Sequence, residues 1–158
     1  MHDSTRNWSR PCNCAGLREA ARHVSQLYDH HLAEAGLRNT QFTILVELQH
    51  SGPISINALA QRMVMDRTTL GRNILPLLRR RLIIARRSRA DGRSKHLELS
   101  ATGLSRLEAG VAAWSRAQAQ FESRFGADRA AELRGLLQAI VGSDFTAPLS
   151  HSRTGDQT

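Results

Sequence analysis

Aromatic side chains make up only 4% of this chain, and lysine is nearly absent: of twenty-two basic residues all but Lys95 are arginine. With so few large rings, and Leu and Ala dominating a 41% hydrophobic complement, the core is expected to come from packed helices rather than a large sheet. Cysteine is confined to Cys12 and Cys14, which excludes the disulfide framework of a small secreted fold and suits a reducing compartment. No run of about eighteen apolar residues exists, which excludes a membrane-spanning helix. The N-terminus lacks an apolar signal segment, so the chain is expected to be cytoplasmic. No P-loop, G-x-S-x-G or H-E-x-x-H motif appears and neither thiol has an obvious paired base, so an enzyme is disfavoured and no cofactor is implied. At 158 residues one domain of ordinary size suffices.

What is present is charge concentrated in one stretch. Between Arg62 and Lys95 stand eleven basic residues against two acids, Asp66 and Asp91, a local +9, while the remainder of the chain is −1. Such a surface suits a polyanion, and a phosphate backbone that releases counterions to arginine is the commonest one. The planar guanidinium makes bidentate contacts to phosphate or guanine edges better than an ammonium does, although high genomic GC content would also enrich arginine.

The apolar periodicity orders the chain. Leu17, Ala20, Ala21, Val24, Leu27 and Tyr28 form a 3.6-residue stripe that predicts a helix ending near Gly36. Thr40 is the expected N-cap of a second helix through Phe42, Leu45, Val46 and Leu48, stopped by Ser51-Gly52-Pro53. Ser55 can cap a third helix bearing Ala58, Leu59 and Met63, and Asp66 a fourth with Leu70, Ile74, Leu77 and Leu78 on one face. Pro76 inside that pattern is expected to kink or loosen the fourth helix. Leu82–Ser88 and Ser94–Leu99 then read as strands joined through an Asp91-Gly92 turn, a basic hairpin. Ser100 opens a long helix with Leu104, Leu107, Val111, Trp114, Phe121 and Phe125 on a recurring face, broken at Gly126. A last helix carries Ala130, Leu133, Leu136, Leu137, Ile140 and Val141. The polar ends, residues 1–13 and 143–158, are expected to be flexible.

A helix, a short turn, a second helix with a polar N-terminal face and then a basic hairpin is the layout of a winged helix-turn-helix, giving a mostly α fold with a small β wing. A major groove about 12 Å wide admits a helix whose first turns reach base edges. Arg67, Thr68, Thr69, Arg72 and Asn73 occupy those turns, with Thr68 or Thr69 suited to backbone contact and Arg72 or Asn73 to bases. Arg89 and Arg93 at the hairpin tip suit a narrow, electronegative minor groove, and Ser55 and Lys95 complete the candidate DNA-binding set. Arg79, Arg80 and Arg81 are either phosphate contacts or solvated.

On these residues the chain resembles the MarR family of bacterial transcriptional regulators over roughly residues 15–142. ADGRSKHLELSATG at 90–103 is similar to the family's D-x-R…L-x-L-[ST]-x-x-G pattern, with Asp91, Arg93, Leu97, Leu99, Ser100 and Gly103 in register. ALAQRMVMDRTTLGRNILPLLRRRLI at 58–83 resembles its third helix, recognition helix and lead into the wing, with Arg81 where the family usually has glycine. The resemblance implies a homodimer with interlocked terminal helices, binding double-stranded DNA at a pseudo-palindromic operator and releasing it when a small-molecule effector or an oxidant acts. It implies a dimerisation region at 14–38 with 101–142 and a DNA-binding lobe at 39–100. It makes Arg93 the minor-groove residue and Asp91 the brace of the wing, and it makes Arg22, His23, Tyr28 and Trp114 candidates for an effector pocket.

Cys12 and Cys14 are candidate redox residues. One residue apart they form at best a strained disulfide, so an intersubunit or mixed disulfide is easier. Arg10, Arg18 and a following helix N-terminus make an electropositive setting in which a thiol can react with oxidants. A soft metal bound by both thiols and one of His23, His30 or His31 is an alternative, although the spacing is not that of structural zinc. Three readings therefore stand: a sequence-specific dimeric repressor, a thiol- or metal-responsive sensor, and a non-specific nucleic-acid packaging protein.

Overall fold

The structure is a computed structural model that describes residues 12–87 and 95–145. The hairpin tip with Arg89, Asp91 and Arg93, and most of both terminal segments read as flexible, lie outside the described residues. Two compact units are present, Met1–Ala119 and Gln120–Thr158.

In the first unit, α1 (Asn13–Leu32) continues into a 3₁₀ turn at Ala33–Ala35 and stops at Gly36, whose φ of +63° is the left-handed conformation glycine adopts without steric cost. Then follow α2 (Asn39–Ser51), β1 (Ile54–Ser55), α3 (Ile56–Arg62), α4 (Arg67–Arg79), β2 (Ile83–Arg87), β3 (Lys95–Leu99) and α5 (Ala101–Phe125), which runs on into the second unit. The strands form an antiparallel sheet in the order β1-β3-β2. The strand β1 was not expected: two residues are too short for an alternation to be read, and only pairing of Ile54 with Leu97 and Ser55 with His96 defines it. Across the hairpin Ile83 faces Leu99, Ala85 faces Leu97 and Arg87 faces Lys95.

The core is aliphatic, as the scarcity of rings predicts. Leu32, Ile44, Leu45, Leu48, Leu59, Leu70, Leu77, Leu82, Ile83 and Leu97 are fully buried. The fourth helix buries Leu70, Ile74 and Leu77, as its pattern predicts, and continues through Pro76 to Arg79.

Two local expectations give way to tertiary contacts. Thr40 does not cap α2. The helix begins two residues earlier, at Asn39 with Arg38 in the N-cap position, and the Asn39 N–H donates to Asp29 Oδ1 of α1 at 2.6 Å, so a neighbouring helix supplies the capping carboxylate. On α5 the buried face is Gly103, Leu107, Gly110, Ala113 and Ala117, while the bulkier Leu104, Val111 and Trp114 are exposed. Small residues are needed there because α5 approaches closely: an added Cβ at Gly103 would stand 1.9 Å from the Leu82 carbonyl oxygen, and one at Gly110 2.9 Å from Phe42.

The second unit consists of the end of α5 from Gln120 and α6 (Ala127–Val141). Phe121 stacks on Phe125, the Arg129 guanidinium lies 4.5 Å from the centre of the Phe125 ring, and Arg134 pairs with Glu122 at 3.0 Å. Ala130 is buried, whereas Leu136, Leu137, Ile140, Val141 and Phe145 are exposed.

Candidate nucleic-acid interface

Two helices joined by four residues form the centre of the site. Ser55 begins α3 as anticipated, its Oγ accepting from the Ala58 N–H at 3.2 Å. The turn closes with Val64 N–H donating to Gln61 O at 3.1 Å and Met65 N–H to Ala60 O at 2.9 Å. Asp66 then caps α4, its Oδ1 accepting from the Thr69 N–H at 2.8 Å. A hydrogen bond from the Thr69 side chain, with further ones from the Thr69 and Thr68 backbone, holds the Asp66 carboxyl below its ordinary value.

This cap sets what the first turns of α4 offer. Arg67, Thr68, Thr69 and Arg72 are all exposed. Thr69 is engaged with Asp66, and half-buried Asn73 donates its side-chain amide to Thr69 O at 2.9 Å. Thr68 and the two arginines therefore present their side chains most openly, at the positive end of the helix dipole. The arginine run at the other end divides. Arg79 is the exposed last residue of the helix, Arg80 donates from Nη1 to Gly36 O at 2.7 Å, and Arg81 takes φ +56° to end the helix where the family pattern has glycine.

The wing is fastened by Ser100. Its N–H donates to Leu82 O at 3.1 Å, its hydroxyl donates to Arg81 O at 2.7 Å, and its Oγ accepts from the Gly103 N–H at 2.9 Å. The Ser-x-x-Gly signature thereby has a physical basis: serine joins the helix-four stop to the start of α5, and only glycine fits three residues later. On one face of the hairpin Arg86 pairs with Glu98. On the other, Arg87 and Lys95 stand directly opposite one another, both exposed. Like charges across a ladder destabilise it, so this pair is better suited to an anion partner than to the fold. Arg87 was missing from the sequence-derived set: a two-residue Asp91-Gly92 turn would have set it opposite His96, and only the observed register sets it against Lys95.

The four effector candidates are not brought together. Trp114 stacks on Phe42 and lines a groove of about 460 Å³ between α2 and α5, with Val46, His50, Leu107 and Val111. Arg22 and His23 line a shallow polar depression along α1, and Tyr28 hydrogen-bonds to Gln118. Cys12 is the N-cap of α1 and Cys14 lies in its first turn, both exposed and free. Among the described residues no three His, Cys, Asp or Glu side chains gather to hold a metal ion, and no helix is long and apolar enough to cross a membrane.

The MarR family model matches residues 35–94, which span α2 to the hairpin. The chain is 35% identical to the M. tuberculosis transcriptional regulator MosR solved in complex with DNA, over 82% of this chain and 96% of that one, with a TM-score of 0.70. It is 31% identical to a probable transcriptional regulator from Pseudomonas aeruginosa, over 78% of this chain and 92% of that one, with a TM-score of 0.71. The transcriptional repressor CouR, bound to a 23-mer DNA duplex, shares the fold at a TM-score of 0.74 and 23% identity, over 82% of this chain and 92% of that one. No curated protein matches. A capped helix offering arginines from its first turns, a basic wing behind it and this degree of likeness together place the chain in the MarR family of DNA-binding transcriptional regulators.

Proposed function

We propose that the protein is a homodimeric repressor of a pseudo-palindromic operator, released by a small-molecule effector or an oxidant. The observation that carries this reading is the exposed cluster Arg67, Thr68 and Arg72 at the Asp66-capped start of α4, which suits the major groove, with Arg87 and Lys95 paired on the wing. On this reading Arg72 reads bases, Asn73 does so once it leaves Thr69 O, and Thr68 touches phosphate. Ser55, Lys95 and, at the wing tip, Arg89 and Arg93 contact the backbone or minor groove, with Asp91 as brace. The regions 14–38 and 101–142 form the dimer, and 39–100 the DNA-binding lobe. Support for a second copy comes from apolar side chains left in solvent, Leu104, Val111 and Trp114 in one unit and Leu136, Leu137 and Ile140 in the other. The groove lined by Phe42, His50 and Trp114 has the size and apolar walls of an effector site.

The test is selection of a genomic DNA library by the reduced protein at physiological salt, with sequencing of what is retained. Recovery of a short inverted repeat with half-site centres about one helical turn apart is the expected result. Retention without an enriched sequence would point instead to packaging. Arg72→Ala is expected to cost about 1 to 3 kcal/mol at particular base pairs, and a uniform loss over all sequences would reassign it to the backbone.

One observation favours the thiol as the releasing trigger: Cys12 and Cys14 are both exposed at the head of α1. Mild peroxide is then expected to abolish operator binding, and Cys12→Ser with Cys14→Ser to remove that response. An oxidised protein that still binds would leave release to a small molecule.

A further inference from the structure

Where the 3₁₀ turn after α1 ends, the carbonyls of Ala35 and Gly36 lie at a helix C-terminus, where intrahelical donors run out and the dipole is negative. Two arginines far away in sequence reach them. Arg80 Nη1 donates to Gly36 O at 2.7 Å, and Arg106 Nη1 to Ala35 O at 3.1 Å. An added Cβ at Gly36 would stand 3.3 Å from Arg80 Nη2 and 3.7 Å from Arg106 Nη1, so both guanidinium groups close on this one residue. Two cations repel each other, and the carbonyl acceptor each one has here offsets their convergence. Beyond the elbow, Asp29 accepts the Asn39 N–H at 2.6 Å. The junction between α1 and α2 is thus tied to the end of α4, to the second turn of α5 and back to α1.

We infer that Arg80 is a positioning residue for DNA recognition: it joins the C-terminal end of the reading helix α4 to the α1–α2 elbow, with Arg106 as the second jaw of the clamp. A basic residue just past a DNA-reading helix would ordinarily be assigned to phosphate; here its guanidinium is committed to a backbone carbonyl 44 residues away. The inference rests on the dimeric operator reading. In a two-fold dimer the placement of α4 against α1 sets the distance between the two reading helices, and so the spacing of half-sites the protein accepts.

The experiment uses the full chain and two duplexes: the inverted repeat recovered from the genomic selection, and the same repeat with one base pair inserted between its half-sites. Arg80→Ala and Arg106→Ala are each expected to bind the native repeat about tenfold more weakly, keep the wild-type salt slope and lose most of the preference for native spacing. The double variant is expected to be little weaker than either single one, because both act on one elbow. A salt slope smaller by about one in Arg80→Ala would make it a phosphate contact and overturn the inference. A folded Arg80→Ala with wild-type affinity and spacing preference would also overturn it, leaving a structural hydrogen bond only. Should the alanine variant not fold, Arg80→Gln keeps an amide donor without the charge: part of the affinity with an unchanged slope supports positioning, and a reduced slope overturns it. A wild-type protein that recovers no inverted repeat defeats the operator reading and this inference with it. Intact wild-type recognition beside an indifferent Arg80 variant defeats the inference alone.

Discussion

Val64 and Arg81 both carry positive φ, +51° and +56°, and both close a helix: Val64 ends α3 and Arg81 ends α4. In each case the following residue back-bonds across the helix end, Met65 to Ala60 O at 2.9 Å and Leu82 to Leu77 O at 2.9 Å. Glycine is the usual occupant of this position because it has no Cβ to crowd the carbonyl. A β-branched valine there is a real outlier, and at 73% exposure it has little packing to offset the strain. Val64→Gly and Arg81→Gly are therefore each expected to stabilise the fold by about 0.5 to 1 kcal/mol, the relief of strain exceeding glycine's greater freedom in the unfolded chain. Urea unfolding of the two variants checks this, and a shift of either midpoint to lower urea would show that the side chain is needed. The strained valine lies in the turn that aims α4, where strain more often accompanies function than packing does.

At the scale of the elements, the start of α4 is held by one titratable group, Asp66. Hydrogen bonds from Thr69 and Thr68 favour the charged carboxylate of Asp66, so its folded pKa lies below the unfolded value of about 3.9. The sign follows from linkage: the cap's contribution is fully present above the unfolded value and is lost as pH falls through the lower folded one. An NMR titration should show the Thr69 amide resonance moving with a midpoint below the ordinary aspartate range, while Asp66→Asn removes the transition. A midpoint at or above that range would mean the cap is not formed in solution. The third and fourth helices were readable in advance because Ser55 and Asp66 act on amides three residues away. The cap of α2 was not, because its carboxylate comes from Asp29, ten residues back on another helix.

For the molecule as a whole, the apolar groups left in solvent are the main unfinished business. Leu136 and Ile140 are one turn apart on α6, 58% and 38% exposed. On the proposed dimeric reading, Leu136→Glu with Ile140→Glu is expected to yield monomers by sedimentation while the helical circular dichroism remains. Operator affinity should fall with the dimer. A doubly substituted protein that stays dimeric would remove α6 from the interface.

The helical class, the order of helices around a basic hairpin, the two side-chain caps and the arginine-bearing face of α4 could all be read from the order of residues. Each of these is written in local spacing, whether a period of 3.6, an alternation of two, or a cap three residues from its amide. The pairing of Ile54 with Leu97, the capping of α2 by Asp29, the exposure of Leu104, Val111 and Trp114 on α5, and the different surroundings of Arg79, Arg80 and Arg81 came from the packed fold. Those depend on how closely separate elements approach and on carbonyls many residues distant, for which local sequence holds no signal. The wing's Ser100 and Gly103 stand between the two: their spacing was legible as a pattern, and the Leu82 carbonyl they enclose supplies its reason.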